Sequence, residues 1–386
     1  MALQLRFIEF KNFSENWESV RLNYLIKSES SKLSINELEE NTGDYPLYGA
    51  SGFIKNIDFY EKEEKYIAIV KDGSGVGNSF LHEGKSSIVS TMQYLINTKN
   101  SNLVFDYYLI QTLNLEKYVI GSSIPHIYFK DYGNEKISIP PLEEQEKISN
   151  FLSAVDKKID LLNCKLKEYN LFKKGLLQQI FGRLAKKLQF DYNSESWLSY
   201  KLSDLYVSKK GNGLSKDKLD SNGSNKCILY GELYTTYDEI IYDVKSRTNS
   251  NEGVLSNYGD ILIPSSTTTK GVDLVTASVI LEENVLLGGD ITILRNKNTN
   301  LISNEFFAYY FTNNLIKEVS KLTQGSTIIH LYWKDFKKVK ITIPSISEQN
   351  KYVDLFLNFD KKIDLIQTQI DEMEKFKKGL LQQMFI

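Results

Sequence analysis

The 386-residue chain is poor in the residue types that mark several classes of protein. Its two cysteines, Cys164 and Cys227, lie far apart in the chain, so a disulfide framework and a cysteine zinc site are both excluded. No apolar run approaches the length of ~18 residues that a membrane-spanning helix needs. The N-terminal segment lacks the apolar core of a signal peptide. We therefore expect a cytoplasmic protein that does not associate with membranes.

Positive charge is also scarce for a chain that would bind nucleic acid by itself. Lys and Arg total 47 residues against 49 Asp and Glu, and five of the basic residues are arginines. The strongly basic balance of an independent nucleic-acid-binding domain is absent. Residues 141–189 carry a modest basic excess, with ten basic and six acidic side chains. Any polyanion must therefore be bound by local patches or with help from another subunit.

Motifs of the common enzyme classes are absent as well. The sequence has no HExxH zinc motif and no nucleophile elbow. The Pro-Pro pair at 140–141 lacks the flanking residues of an amino-methyltransferase loop. Gly73, Gly75 and Gly77 follow the strand-like YIAIV, but the next residues are strand-like too, which favours a hairpin loop over a nucleotide-binding turn. We therefore predict no catalytic residues in this chain.

An internal repeat organises the chain. The stretch GSSIPHIYFKD at 121–131 returns as GSTIIHLYWKD at 325–335, and FKKGLLQQ at 172–179 returns at 376–383, in both cases 204 residues later. About half of the aligned positions in this segment are identical, which chance does not produce. A weaker similarity links the openings NWESVRLNYL and SWLSYKLSDL. The pattern indicates a duplicated domain whose variable parts show no convincing similarity to each other.

Each copy of the shared segment ends in a predicted helix of ~40 residues. Apolar residues recur there at alternating steps of four and three, which is the pattern of a coiled-coil seam. Because neither helix buries this seam alone, we predict that the two pair as an antiparallel coiled coil with pseudo-two-fold symmetry. An ordinary pair of core helices is the alternative. The predicted seam consists of Ile148, Leu152, Val155, Ile159, Leu162, Leu166, Tyr169, Tyr352, Phe356, Phe359, Ile363, Ile366, Ile370 and Met373.

Two pairs of repeat-equivalent residues stand out within the shared segments. Gly175 and Gly379 lie inside the predicted helices, where glycine costs about 1 kcal/mol relative to alanine. We expect either a close approach of another backbone or a helix end or kink there. His126 and His330 are expected to be structural, and a contact to phosphate or to a partner is the alternative.

The variable regions are rich in β-forming residues and in Gly and Ser turns, and short helices are predicted after them. The predicted fold class is α+β, with two mixed α/β domains in tandem and a long helix after each. The short helices are expected at 105–113 and 305–322. The predicted boundaries are 1–141 for the first domain, 142–190 for the first helix and a linker, 191–345 for the second domain and 346–386 for the second helix.

The repeated motifs resemble those of the specificity subunits of Type I restriction–modification systems. G-S-x-I-x-H at 121–126 and 325–330 is followed by I-x-I-P, by E-Q and by a heptad helix that closes in FKKGLLQQ. The resemblance covers nearly the whole chain, including the W-x-S-x-x-L openings. YPLYGASGFIKNIDFY at 45–60 and LYGELYTTYD at 229–238 look like two different classes of target-recognition domain.

This resemblance implies a non-catalytic subunit that gives a larger complex its DNA sequence specificity. Each of its two target-recognition domains would read one half of a bipartite, asymmetric site in double-stranded DNA, and the helices would form a spacer. Two methyltransferase subunits would bind the chain and supply S-adenosylmethionine and the adenine-N6 chemistry. Motor–nuclease subunits would complete the restriction complex. The chain itself would need no cofactor and no metal.

Loop residues with polar or aromatic side chains are the candidates for contacts to the bases, because such side chains reach the edges of the grooves. Arginine, the commonest reader of guanine, is too rare here to supply most of them. The candidates are Tyr48, Ser51, Lys71, Asp72 and Ser74 in the first domain and Lys209, Lys210, Asn212, Tyr230, Arg247, Thr268 and Lys270 in the second. For each, a solvated loop residue without a DNA contact is the alternative.

Two other functions stay open on the sequence. A stand-alone DNA-modifying enzyme would need motifs that the chain lacks, and binding of S-adenosylmethionine by the isolated chain would reveal it. A coiled-coil protein-interaction scaffold that does not bind DNA is compatible with the low basic content. A DNA-shift assay with and without methyltransferase subunits would distinguish it from a specificity subunit.

Overall fold

The computed structural model describes residues 17–38, 40–181 and 197–385. These residues form two compact units, unit 1 within Met1–Cys164 and Gln367–Ile386 and unit 2 within Lys165–Ile366. The linker predicted after the first long helix lies outside the described residues. Each unit contains strands and helices, and each contains part of both long helices. The predicted fold class, two mixed α/β domains in tandem with a long helix after each, is confirmed.

Unit 1 is built on a four-stranded antiparallel sheet of order β2-β8-β5-β6, with a three-stranded sheet β4-β3-β7 and a strand pair β1-β9. Its central strand β5 has the sequence YIAIV and is buried at every position. The strands are β1 Glu18–Arg21, β2 Ile26–Ser30, β3 Tyr45–Gly49, β4 Gly52–Ile57, β5 Tyr66–Val70, β6 Ser79–His82, β7 Ser87–Ile88, β8 Met92–Asn97 and β9 Lys136–Ile139. The helices are α1 Leu22–Leu25, α2 Leu103–Thr112, α3 Phe129–Tyr132 and the first long helix, α4 Leu142–Phe181.

Unit 2 is built on a five-stranded sheet of order β11-β20-β16-β18-β13, with a four-stranded sheet β14-β12-β19-β15 and the pairs β17-β21 and β10-β22. The strands are β10 Leu198–Lys201, β11 Tyr206–Lys210, β12 Asn225–Ile228, β13 Ile240–Ile241, β14 Arg247–Thr248, β15 Val254–Leu255, β16 Ile261–Pro264, β17 Ser266–Thr267, β18 Ser278–Ile280, β19 Leu286–Leu287, β20 Ile291–Asn296, β21 Ile329–His330 and β22 Lys340–Ile343. The helices are α5 Leu202–Leu205, α6 Glu232–Thr235, α7 Asn304–Asn314, α8 Ile316–Val319, α9 Trp333–Phe336 and α10 Ile346–Met384.

The two central sheets have the same topology. The order β2-β8-β5-β6 in unit 1 corresponds to β11-β20-β16-β18 in unit 2, and every pair in both series is antiparallel. Helix α2 follows β8 as helix α7 follows β20, which is where the short helices are predicted. Unit 2 then adds β13 in parallel to β18. The variable regions therefore share a framework that their sequences do not reveal.

The repeated sequence motifs lie together beside this framework. The opening strand β1 pairs antiparallel with β9, and β10 pairs with β22 in the same way. Strand β9 alternates exposed and buried residues, so one face packs on the core. The repeated glutamine of the E-Q motif fixes the start of each long helix. The Gln145 side chain accepts the backbone N–H of Asn102 at 3.0 Å, and Gln349 accepts that of Ser303 at 2.9 Å.

Both long helices are continuous, and their packing is described separately in each unit. In unit 1, Ile148, Leu152 and Val155 of α4 share a core with Leu380 and Met384 of α10. In unit 2, the end of α4 packs on the beginning of α10, and the Tyr169 and Phe359 ring centroids lie 6.3 Å apart. The beginning of each helix thus meets the end of the other, which is antiparallel packing. All of the predicted seam residues are buried or half-buried.

A Tyr–Asp–Lys cluster joins the long helices to the short helix in each unit. In unit 1 the Tyr108 hydroxyl donates to Asp156 Oδ2 at 2.8 Å, and Lys377 Nζ lies 2.7 Å from Asp156 Oδ1. In unit 2 the Tyr309 hydroxyl donates to Asp360, which also pairs with Lys173. The aspartates are repeat equivalents, and so are the lysines. In unit 1 the aspartate comes from α4 and the lysine from α10, and in unit 2 the aspartate comes from α10 and the lysine from α4.

The structure corrects the expectation for the helical glycines. A Cβ at Gly175 or Gly379 would meet no atom within 4 Å, so the predicted close approach of another backbone within this chain is wrong. Helix α4 continues to Phe181 and α10 to Met384, so neither glycine ends its helix.

Replacing Gly175 or Gly379 by alanine is expected to stabilise the chain by about 1 kcal/mol at each position, because alanine loses less backbone entropy in a helix. The free energy of unfolding, measured by denaturant titration, tests this. Gly121→Ala is the matched control, since Gly121 has a φ of 90° and an added Cβ would lie 2.4 Å from the Ile124 carbonyl oxygen. That variant should be destabilised. A loss of stability in Gly175→Ala would contradict the prediction.

Candidate nucleic-acid interface

Both central sheets present an exposed loop at the same place. Strands β5 and β16 are buried at every position, because each lies between two neighbours in its sheet. In unit 1 the residues 71–77 turn back into β6, and Gly73, Gly75 and Gly77 adopt positive φ values that suit glycine. Since β5 and β6 pair antiparallel, the predicted hairpin loop is confirmed. In unit 2 the exposed residues 268–270 follow β17.

The repeated GSxIxH segment of unit 1 lies directly beside its hairpin loop. The backbone N–H of Gly73 donates to the carbonyl of Pro125 at 2.8 Å, and that of Ile127 donates to the carbonyl of Lys71 at 2.9 Å. Ile124 at the tip of the segment is 66% exposed. A recognition loop specific to this unit and a segment shared by both units therefore form one surface.

Unit 2 repeats this arrangement. The backbone N–H of Leu331 donates to the carbonyl of Ser265 at 3.1 Å, and β17 pairs antiparallel with β21. Ile328 at the tip of the segment is 48% exposed. The candidates Thr268 and Lys270 are exposed beside it. The repeated segment thus supports the loop after the central strand in both units.

A histidine, a tyrosine and a lysine follow one another along each repeated segment. In unit 1 Lys130 Nζ lies 5.1 Å from the centroid of the Tyr128 ring, and the rings of His126 and Tyr128 meet edge to face with centroids 5.1 Å apart. Tyr128 and Lys130 are exposed. Each lysine is held over an aromatic face while its ammonium group stays accessible to solvent.

In unit 2 the equivalent lysine again lies over the tyrosine ring, but the histidine and the tyrosine are stacked instead of edge to face. Lys334 Nζ lies 5.7 Å from the Tyr332 centroid, and the Tyr332 ring stacks on His330 with centroids 5.5 Å apart. The Tyr332 hydroxyl and His330 Nδ1 are 3.1 Å apart. Lys210, a predicted contact residue on β11, lies over the same tyrosine ring at 5.7 Å. The structure thus brings Lys210 to the repeated segment.

Two candidates of unit 1, Tyr48 and Ser51, belong to the sheet β4-β3-β7. Tyr48 on β3 is half-buried, and its ring stacks on that of His82 with centroids 4.0 Å apart. Burial lowers the pKa of His82 to about 4, so this imidazole is neutral at physiological pH. Ser51 is exposed in the turn between β3 and β4. The other three candidates are in the hairpin loop: Lys71, Asp72 and Ser74.

The candidates of unit 2 fall into three places besides the loop at 268–270. Lys209, Lys210 and Asn212 are exposed at the end of β11. Tyr230 lines a cleft of about 630 Å³ together with Asp290, whose carboxylate lies 3.6 Å from Lys210 Nζ. Burial raises the pKa of the Tyr230 phenol. A continuous series of contacts therefore connects this cleft to the repeated segment.

Arg295 and Arg247, two arginines of unit 2, differ in their contacts and in their exposure. Arg295 forms two hydrogen bonds to the buried Asp260 carboxylate, at 3.0 and 3.2 Å, and so has a structural role in unit 2. Arg247, the arginine in the candidate set, is exposed on β14 and donates to the carbonyl of Gly223 at 3.3 Å. Its guanidinium keeps further donors available for a nucleic acid.

The sequence-based candidates do not include the repeated segments that the structure places beside Lys71 and Thr268. The signal that could have identified them is the repeat itself, since exposed residues such as Ser122 and Lys130 have identical counterparts 204 positions later. Within these segments, a contact to phosphate or to a partner is the alternative to a structural role for His126 and His330. Only the backbone pairing between distant segments shows that they border the variable loops.

The described ranges 17–38, 40–181 and 197–385 include no group of three or more His, Cys, Asp or Glu side chains arranged to hold a metal ion. Every helix in these ranges is either too short or too polar to span a lipid bilayer.

Comparison with known proteins decides the family. The family model for the Type I restriction modification DNA specificity domain matches twice, at residues 14–169 and 194–375. The chain belongs to this family. The first match contains the central sheet of unit 1, and the second contains the central sheet of unit 2. The chain is accordingly a DNA specificity subunit of a type I restriction–modification system.

Similarity to individual proteins extends over the whole chain. The MjaVIII type I restriction enzyme specificity subunit of Methanocaldococcus jannaschii is 25% identical, with 99% of this chain and 96% of that protein aligned. A crystal structure of the type I S subunit from M. genitalium has a TM-score of 0.67 at 17% identity and covers 100% of this chain. A second structure, from a study of complex assembly in a type I system, has a TM-score of 0.56 at 15% identity and covers 96% of this chain. These structures share the fold.

Proposed function

We propose that each unit reads one half of a bipartite, asymmetric site in double-stranded DNA, and that the chain itself is not catalytic. The observation that carries the proposal is the common sheet framework of the two units, which holds different loops after the equivalent strands β5 and β16. A shared framework with different loops suits two similar tasks on different sequences. Because the two sets of loops differ, the two half-sites should differ as well.

The proposed base contacts come from the exposed loops. In unit 1 the hairpin loop at 71–77 has polar side chains beside glycines, which allow a backbone to approach a groove closely. In unit 2 the proposed contacts come from the end of β11, the loop at 268–270 and Tyr230 in its cleft. Lysine, serine, threonine and tyrosine donate hydrogen bonds both to phosphates and to base edges. Arg247 is the proposed reader of a guanine.

The proposed partners are two methyltransferase subunits and the motor–nuclease subunits. Phe172 and Phe376 are repeat equivalents on the long helices, and both are exposed, at 61% and 48%. Gly175 and Gly379 follow each of them by three residues and so lie on the same helix face with open space above. Two equivalent apolar faces with a small residue would suit two copies of one partner. These partners would supply S-adenosylmethionine, the adenine-N6 chemistry and, in a cytoplasmic complex, the remaining DNA contacts.

Replacing residues 17–120 by the corresponding region of another specificity subunit is expected to change one half of the methylated motif and to leave the other half unchanged. The exchanged segment contains the central sheet of unit 1 and leaves all of unit 2 in place. The measurement is sequencing of methylated adenines in cells that express the chimaera with its methyltransferase. The reciprocal exchange of 197–324 should change only the other half. A change in both halves would refute separate reading.

A further inference from the structure

Two repeat-identical surfaces lie at corresponding places in the two units. We define the shared surface as residues 121–130 in unit 1 and 325–334 in unit 2, with the common pattern G-S-x-I-x-H-x-Y-x-K. Its serine at 122 or 326, its isoleucine and its lysine are exposed in both units. The side chains that repeat are therefore available for contact, and core packing does not explain their identity.

Identity between the units limits what this surface recognises. A side chain that is the same in both units carries the same hydrogen-bonding groups, so it cannot by itself distinguish one half-site from the other. Yet each shared surface is hydrogen-bonded to the loop that differs, through the carbonyl of Lys71 in unit 1 and that of Ser265 in unit 2. A ligand that reaches the variable loop must come close to the shared surface too. The common contact should be to a feature that every DNA sequence presents.

The chemistry of the surface matches the sugar-phosphate backbone. Lysine, histidine, tyrosine and serine are all donors to phosphate oxygens. Each lysine is held over a tyrosine ring, at 5.1 Å in unit 1 and 5.7 Å in unit 2, which limits its conformational freedom before binding. In unit 2 Lys210 adds a second ammonium group over the same ring, at 5.7 Å. The positive charge is thus concentrated beside the loops that read bases.

We propose that the shared surface of each unit binds the sugar-phosphate backbone of DNA independently of its sequence. This contact positions the adjacent base-reading loop relative to the DNA groove. Lys130 and Lys334 each neutralise one phosphate, and the neighbouring hydroxyl groups donate to the same backbone. This inference rests on the proposed function, because it assumes that each unit binds one half-site. It assigns two roles within each unit: the residues that are identical in both units position the chain on the DNA backbone, and the residues that differ determine which bases are recognised.

The test uses the full chain assembled with its methyltransferase subunits. The variants are Lys130→Gln, Lys334→Gln and the double variant, all at exposed side chains whose removal leaves the core intact. The probes are a duplex with the methylated motif and a duplex of random sequence, titrated across a range of salt concentrations. The matched control is Lys157→Gln with Lys361→Gln, an exposed repeat-equivalent pair on the long helices that causes the same change in net charge.

Each single variant is expected to lower the slope of log affinity against log salt by about one, and the double variant by about two, on both duplexes. The control pair should leave the slope unchanged, and every variant should methylate the same motif as the wild type. An unchanged slope in the double variant, or an altered motif, would overturn the inference. So would a loss of complex assembly with unchanged DNA affinity of the assembled fraction, which would assign the surface to a protein partner. If the wild-type complex itself bound no DNA, the proposed function would fail instead.

Discussion

Asp106→Asn is expected to raise the melting temperature of unit 1 at high pH and to change it little at low pH. Asp106 lies on α2, is fully buried, and accepts a hydrogen bond from the Ser101 hydroxyl at 2.6 Å. Its Oδ1 has no hydrogen-bond partner among the described residues. Burial raises the pKa of this carboxyl group from 3.8 to about 8, while the hydrogen bond from Ser101 lowers it by a smaller amount.

The sign of the pH dependence follows from that shift. Below about pH 4 the carboxyl group is neutral in the folded and unfolded chain alike, and burying it costs little ionic solvation. Between about pH 4 and pH 8 the unfolded chain loses the proton while the folded chain keeps it, so stability falls as pH rises. With about 1.4 kcal/mol for each pKa unit, the loss reaches an upper bound of about 6 kcal/mol at pH 8 and above.

Scanning calorimetry of the full chain at several pH values between 5 and 9 tests this. Asparagine has the shape of the neutral acid and no charge to bury, so the variant should lose this part of the pH dependence. Asp131→Asn, at an exposed position of unit 1, is the matched control. Unit 2 gives an internal reference, because the equivalent position on α7 is Phe307. A wild-type stability that rises between pH 5 and 8 in step with the variant would contradict the prediction.

Lys377→Met is expected to destabilise unit 1 by about 2–3 kcal/mol, because it leaves the mostly buried Asp156 carboxylate without its cation. The lysine and the aspartate side chains are 21% and 28% exposed, so solvent replaces little of the lost interaction. The Tyr108 hydroxyl would be the remaining hydrogen-bond donor to that carboxylate. Denaturant titration of the full chain measures the effect.

The equivalent change in unit 2, Lys173→Met, should lower the free energy of unfolding by a larger amount than Lys377→Met does. Lys173 pairs with Asp360 and also lies 3.8 Å from Glu239, so its removal leaves two carboxylates close together. Burial lowers the pKa of Lys173, but Glu239 and Asp360 raise it by more, and the net shift is upward. The ammonium group is therefore charged in the folded chain and balances both acids.

A double variant separates the ion pair from simple packing. Asp156→Asn combined with Lys377→Met removes both charges and should recover most of the stability that Lys377→Met loses. Lys378→Met, at an exposed position next in the chain, should change stability by less than about 0.5 kcal/mol. If the double variant were as unstable as the single one, the loss of stability in Lys377→Met would not come from an unpaired Asp156 charge.

Local sequence was sufficient to predict the long helices and their buried faces. The steps of four and three place residues such as Leu152 and Phe356 on one face, and both are fully buried. The repeat predicted two equivalent units. The close approach of another backbone expected at Gly175 is wrong, since a Cβ there would meet no atom of the described chain within 4 Å. The spacing of apolar residues predicts which face of a helix is buried, but it does not predict which atoms pack against a single residue.

The candidate site was predictable only in part. Loop residues such as the half-buried Lys71 and the exposed Lys270 follow from turn composition after a strand-like run. The neighbourhood of Tyr48 does not, because its stacking partner His82 is on a strand of a different sheet, and only tertiary packing brings the two rings together. For the same reason, nothing in the local sequence shows that Arg295 is held by Asp260 while Arg247 is exposed.

The duplication, the two long helices with their apolar seams and the family resemblance can all be read from the amino-acid sequence, because each depends on short-range patterns or on direct repetition. The strand order that the two variable regions share, β2-β8-β5-β6 and β11-β20-β16-β18, becomes visible only in the folded chain. Strand pairing is set by contacts between residues far apart in the chain, and many different sequences satisfy the same alternation of buried and exposed positions. The tertiary structure likewise decided that Asp156 pairs with Lys377 and Asp360 with Lys173, since equivalent lysines and aspartates occur on both helices and only their antiparallel packing selects the partners.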